Sequence, residues 1–152
     1  MKDQSNALAT AGDGTSSIQQ TSEDRRLARE AHQELQIVGM NRTNLLLVGT
    51  AGAIRIVLGM LWLDLHEPIL RWQPGQRLEL PPAGRVATLV LHDVNELTDD
   101  DQHNVLRWLN ETAGRIRVVS TSAVPLWPRV ESGAFNDVLY YRLNTVCLGM
   151  AA

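Results

Sequence analysis

The apolar run Leu45 to Val48 leads into Gly49-Thr50-Ala51-Gly52-Ala53. A buried strand that opens into a glycine-containing turn and then a helix can hold phosphate groups on backbone N–H donors. The full phosphate loop, G-x-x-x-x-G-K-[ST], needs its second glycine for close backbone approach and its lysine for the β- and γ-phosphates. Counted from Gly49, those places hold Ile54 and Arg55, and the Ser/Thr place holds Ile56. The only lysine of the chain is Lys2, in a polar tail. Gly49, Gly52 and Arg55 therefore outline a nucleotide site that lacks its working groups, which argues against ATP hydrolysis. Ile54 and Ile56 are placed to fill the vacated pocket with apolar contacts. The alternative reading is that Gly49 and Gly52 only permit a tight strand-to-helix turn.

Other reactive residue types are present without the spacing that chemistry requires. Asp93 and Glu96 could form a carboxylate pair for acid–base work, but they read better as residues of a strand end and loop. His92, Asp99, Asp100, Asp101 and His103 offer metal-ligand types, yet no C-x-x-C or H-E-x-x-H spacing supports a metal site. Acids in the first turn of a helix already account for the aspartates through the helix dipole. There is no G-x-S-x-G segment, and Ser120 and Ser122 have no implied base. The single Cys147 cannot form an internal disulfide, and it reads as a buried small hydrophobe within Thr145-Val146-Cys147-Leu148. Of the four tryptophans, Trp62 and Trp108 read as core. Trp72 and Trp127 lie beside prolines in loops and are the better candidates for a protein-binding surface, the alternative and more ordinary reading being local packing.

A chain of 152 residues, 44% apolar and 20% charged, is long enough for one domain with one core. Its formal charge of -3 argues against nucleic-acid binding by phosphate neutralisation. No apolar signal-peptide core is visible in the first twenty residues. Leu45 to Leu65 has about the length of a membrane span, but Arg55 falls at its centre, so a buried strand and core helix fit better. A cytoplasmic location without cofactors is expected.

The elements that must position these residues follow from composition and period. Residues 1–20 are polar and without apolar period, and are expected to be a disordered leader ahead of a single domain over 21–152. Thr21-Ser22-Glu23-Asp24 offers an N-cap and first-turn acids for an amphipathic helix over Ser22 to Val38, closed by Gly39. Leu45 to Val48, Val86 to Leu91 and Arg115 to Thr121 read as buried strands. Ile69 to Trp72 and Arg77 to Leu80 read as short extended pieces, and Thr145 to Leu148 as a terminal strand. Helices are expected over Ile54 to Leu65, after Thr98 until Gly114, around Glu131, and over Asn136 to Leu143. Strands that alternate with helices indicate a mostly parallel sheet in an α/β/α layered domain.

The order of these pieces resembles the AAA+ domain of bacterial enhancer-binding proteins, the ATPases that activate sigma-54 RNA polymerase. Gly133-Ala134-Phe135-Asn136-Asp137-Val138-Leu139-Tyr140-Tyr141-Arg142-Leu143-Asn144 is similar to that family's G-x-F-R-x-D-L-Y-Y-R-L-N segment. Thr88-Leu89-Val90-Leu91-His92-Asp93-Val94-Asn95-Glu96-Leu97 tracks T-L-F-L-D-E-I-G-E-L, and Arg117 to Ser122 resembles R-I-I-A-A-T-N. With Gly49-Thr50-Ala51-Gly52-Ala53 in place of G-E-S-G-T, the resemblance spans residues 40–150. It implies a three-layer AAA+-like core of P-loop NTPase type. Because the sequence ends at Ala152, that core is expected to be truncated, without the helical lid.

Set against the resemblance, the family's metal-linked aspartate is His92, its catalytic glutamate is the shorter Asp93, and its sensor asparagine is Ser122. Asp93 thus joins Gly49, Gly52 and Arg55 as a vestigial nucleotide-site residue. Of two arginines that family members offer to a neighbour's nucleotide, the first place is Asn136 and the second is kept as Arg142, whose alternative reading is an ion pair with Asp137 or Glu131 inside the domain. The G-A-F-T-G-A loop that grips sigma-54 is absent. These departures imply a pseudo-ATPase that modulates transcription activation by protein association. The partner would be a second copy or an intact sigma-54 activator, met through Asn136, Arg142, Trp72 and Trp127. No direct contact with nucleic acid or membrane is implied. A module that senses ATP, ADP or a signalling nucleotide without hydrolysis is the alternative.

Overall fold

A computed structural model describes residues 13–38, 43–112 and 114–150. The elements run α1 (Asp13–Val38), β1 (Leu45–Gly49), α2 (Ala51–Leu61) and a tight helical turn (Trp62–Asp64). Next come β2 (Ile69–Trp72), β3 (Ala87–Leu91), a second tight turn (Val94–Glu96), α3 (Asp99–Thr112) and β4 (Ile116–Ser122). The chain closes with α4 (Trp127–Glu131), α5 (Asp137–Leu143) and β5 (Val146–Met150). The strands form one sheet in the order β2-β3-β4-β1-β5. Every pairing in it is parallel.

Alternation along the strands divides the core into two faces. Leu45, Leu47, Val90, Val119, Leu148 and Met150 face α1 and α2. Leu46, Leu89, Leu91, Ile116 and Val118 face α3, α4 and α5. The result is the expected three-layer α/β/α arrangement. The central strands β3 and β4 are buried at every position, as their continuous apolar runs require.

Local signals explain most of the boundaries. Thr98 Oγ1 accepts from the Asp101 N–H at 3.2 Å and caps α3. Asn136 Oδ1 accepts from the Leu139 N–H at 2.9 Å and caps α5. Gly114 follows α3 at φ 75°, a left-handed position that glycine adopts without strain.

Three expectations need correction. The first helix begins at Asp13 rather than Ser22, so residues 13–20 are helical and not part of a disordered leader. Residues 1–12 and Gly39 lie outside the described residues. Thr21 and Ser22 are mid-helix, and their hydroxyls donate back to the carbonyls of Ser17 (2.8 Å) and Ile18 (3.0 Å) instead of capping. Residues 77–80 form no strand. Leu78 and Leu80 pack on the α3 side, and the next residue, Pro81, accepts from Trp108 Nε1 at 2.7 Å. Finally, Cys147 is exposed, because β5 is an edge strand and Val146, Leu148 and Met150 are the residues that turn towards the core.

Among the described residues no helix is long and apolar enough to cross a membrane.

Candidate functional site

In a phosphate-binding strand–loop–helix unit the glycine-rich segment lies between strand and helix. Here Thr50 is the only residue between β1 and α2. It has extended backbone angles (φ -65°, ψ 152°), and its Oγ1 accepts from the Ala53 N–H at 3.2 Å. The Ile54 N–H bonds to the Thr50 carbonyl at 3.0 Å. Residues 51–56, the greater part of the loop-like segment, are thus wound into the first turns of α2. The Ala53 N–H is taken by Thr50 Oγ1 and the Ile54 N–H by the Thr50 carbonyl, so neither is left to face a phosphate.

The start of α2 is covered by a carboxylate of the same chain. Asp24 lies on the buried stripe of α1 that continues as Leu27, Ala28, Ala31 and Leu35, and it is 7% exposed. Thr50 Oγ1 donates to Asp24 Oδ1 at 2.7 Å, and Gln20 Nε2 donates to the same oxygen at 3.3 Å. A Cβ built on Gly52 would lie 2.1 Å from Asp24 Oδ2. An anion at a helix N-terminus is favourable, and here a side chain supplies it. Gly49 serves another close approach, since a Cβ there would meet Met150 of β5 at 2.8 Å. Both glycines are explained by neighbours within the chain, in line with the tight-turn reading.

Beside this turn, on the α2 face of the sheet, lies a cavity of about 560 Å³. Strand alternation builds its floor. Ile69 and Arg71 share one face of β2, Thr88, Val90 and His92 one face of β3 and its extension, and Val119 and Thr121 one face of β4. Arg71, His92, Asp93 and Thr121 line the cavity at the carboxyl ends of the strands. From α2 and the turn after it come Ile54, Arg55, Leu58 and Trp62. The Arg71 guanidinium sits over the Trp62 ring, 4.2 Å from its centroid. Burial, then the charge of Arg71, push the His92 imidazole below its usual 6.5, while Asp93 pulls it the other way. Asp93 has left-handed backbone angles (φ 49°, ψ 57°). Its N–H donates to Thr121 Oγ1 at 3.0 Å.

The sequence-derived site residues divide accordingly. Arg55 and Asp93 line one cavity, whereas Gly49 and Gly52 are taken up by Met150 and Asp24. Ile54 joins the core and one cavity wall, and Ile56 packs against the same core, but together they leave the cavity open. Ser122 lies on the opposite face of β4, where its Oγ approaches Asn95 Oδ1 at 3.2 Å. Glu96 is exposed and accepts from Asn95 Nδ2, so it forms no carboxylate pair in the cavity. Among the described residues no group of three His, Cys, Asp or Glu side chains is placed to hold a metal.

The expected partner surface is only partly exposed. Trp72 is 4% exposed, which removes it from any surface. Alternation along β2 turns it towards α3, and its Nε1 donates to the Gln76 carbonyl at 3.0 Å. Arg142 reaches the end of α3, where it donates to Asn110 Oδ1 at 2.5 Å and to the Leu109 carbonyl at 3.0 Å. Neither Asp137 nor Glu131 is its partner. Asn136 is half-buried, with its side chain engaged as the cap of α5. Trp127 is 44% exposed and packs on Tyr140 with ring centroids 5.7 Å apart. Tyr141 is also exposed, and it lines a second hollow together with Trp127. Asp24, Trp62, Arg71 and Thr121 were not singled out as site residues. Arg71 reaches the cavity through the parallel register Arg71↔Val90, which no local sequence signal reports.

Residues 25–152 match the Sigma-54 interaction domain family, and the chain belongs to that family. Its fold is also that of NtrX from Brucella abortus. The NtrX crystal structure with ADP matches with a TM-score of 0.61 and 19% identity, over 91% of this chain and 40% of that chain. The NtrX structure with ATP gives 0.54 and 17%, over 97% and 39%. A further NtrX structure gives 0.60 and 16%, over 91% and 41%. The chain therefore spans about two fifths of the length of these NtrX chains. No curated protein matches it.

Proposed function

We propose that this chain is a non-catalytic member of the family, a pseudo-ATPase that modulates transcription activation by association with another protein. The observation that carries the reading is the start of α2. One residue separates it from β1, and Asp24 already supplies the anion at its N-terminus. A triphosphate held there would need α2 unwound, Asp24 displaced, and a lysine where the sequence has Arg55. His92, in the metal-linked position, is kept neutral by burial and by Arg71 and presents nitrogen to magnesium, an ion that prefers oxygen. The same features weigh against a nucleotide-sensing module.

The association surface is the α4–α5 face, where the exposed Trp127 and Tyr141 line one hollow. Exposed aromatic side chains in a cluster are typical anchors of protein interfaces. The partner is an intact AAA+ domain of a sigma-54 activator or a second copy of this chain, in the cytoplasm. Arg142 supports this face from behind by tying α5 to α3.

Purified chain added to the AAA+ domain of a sigma-54 activator tests this. The expected result is a change in that domain's ATPase rate and in its sedimentation, lost with Trp127→Ala or Tyr141→Ala. An unchanged rate together with unchanged sedimentation, for the mixture and for the chain alone, would overturn the proposal.

A further inference from the structure

The cavity between α2 and the ends of β2, β3 and β4 has a composition that neither a relic of ATP binding nor the α4–α5 face accounts for. Its volume, about 560 Å³, lies within the range of small-molecule sites. One wall is aliphatic, made by Ile54 and Leu58 of α2. Arg55 of α2 adds a guanidinium to that wall, and Arg71 of β2 supplies a second one from the sheet. Among the described residues the ion pairs are confined to α1, so neither arginine has a carboxylate within ion-pairing distance. Asp93 lines the same cavity but stays outside that distance. With His92 neutral, the lining carries one net positive charge.

Arg71 is held in place by its stack on Trp62. A guanidinium fixed by an aromatic face keeps its N–H edge free for a planar carboxylate, and it loses little side-chain freedom when it binds one. Aliphatic side chains beside two guanidinium groups, one of them fixed by its stack, suit a ligand with one anionic end and an apolar body. It does not suit a nucleoside triphosphate, whose several charges need a backbone cradle of the kind that α2 has wound up.

We propose that this cavity is a binding site for a small amphipathic monocarboxylate. The apolar body lies against Ile54 and Leu58, and the carboxylate lies between Arg55 and Arg71. His92 offers a neutral imidazole as a further hydrogen-bonding group. The site is independent of the association reading, since it shares no residue with the α4–α5 face.

Hydrocinnamate serves as the probe and its primary amide as the uncharged control. Binding is read from the indole N–H resonance of Trp62, assigned with Trp62→Phe, and from thermal stabilisation of the full chain. Hydrocinnamate is expected to shift that resonance saturably and the amide is not. Arg55→Gln and Arg71→Gln should each weaken binding about tenfold, the scale of losing a charge-assisted hydrogen bond. Arg55 is exposed, so Arg55→Gln decides the matter if Arg71→Gln fails to fold. No saturable shift, equal binding of the amide, unchanged affinity in Arg55→Gln, or tighter binding of ATP than of hydrocinnamate would each overturn the proposal.

Discussion

Thr50 Oγ1 donates to the Asp24 carboxylate across 2.7 Å, and this bond ties the buried stripe of α1 to the residue that opens α2. Thr50 is thereby used twice, because the same oxygen accepts from the Ala53 N–H. Asp24→Ala leaves Thr50 without its acceptor and the start of α2 without its anion. It should lower stability by about 1–2 kcal/mol in urea melts, the combined scale of a charge-assisted bond and a helix-terminus charge. An unchanged midpoint would mean that the carboxylate is not bound where it lies.

Two glycines of α2 should respond in opposite directions to alanine. Gly59 has nothing within 4 Å of a built Cβ, so Gly59→Ala should stabilise by about 0.5–1 kcal/mol through helix propensity. Gly52→Ala places a methyl 2.1 Å from Asp24 Oδ2, and the carboxylate can yield only by leaving Thr50. It should destabilise by about 1–3 kcal/mol, and the penalty should shrink in the Gly52→Ala/Asp24→Ala double variant. Equal stabilisation by both alanines would contradict the close approach of Asp24.

His92 makes stability depend on pH. In the unfolded chain its imidazole takes a proton near 6.5, whereas burial and Arg71 delay that step in the fold. The unfolded state then binds more protons, so this contribution is fully present above about pH 6.5 and is lost as pH falls through the lower folded value. Arg55 of α2 lines the same cavity, and Asp93 opposes the shift. Urea melts between neutral and mildly acidic pH should show a shallower acid slope for His92→Gln. An identical slope would rule out a depressed imidazole.

Ser120 Oγ is buried on β4 without a hydrogen-bond partner among the described residues. Removing it should cost nothing. Ser120→Ala is expected to raise stability by roughly 1 kcal/mol, the low end of the penalty for an unsatisfied buried polar group. A clear loss of stability in the same melts would show that the hydroxyl has a partner after all.

The sequence carried the sheet well and the cavity poorly. β1, β3 and β4 are continuous apolar runs because helices cover both faces, and the caps Thr98 and Asn136 follow from their own side chains. Trp72 and Trp127 looked alike beside prolines. The difference lies in strand phase, which turns Trp72 inward, while Trp127 opens a short exposed helix. Asp24 read as a first-turn acid of its own helix, but α1 extends back to Asp13 and Asp24 serves α2 instead. Arg71, Trp62 and His92 come from separate elements, and only the parallel register of β2 on β3 brings them together. Local pattern cannot report such a meeting.

Calorimetric titration of the chain with ATP and magnesium tests the wound turn most directly. With the Ala53 and Ile54 N–H groups bonded to Thr50 and with Asp24 over the start of α2, the expected trace shows only heat of dilution. Saturable binding, with ordered triphosphate over Gly49–Gly52 in a crystal of the complex, would contradict it.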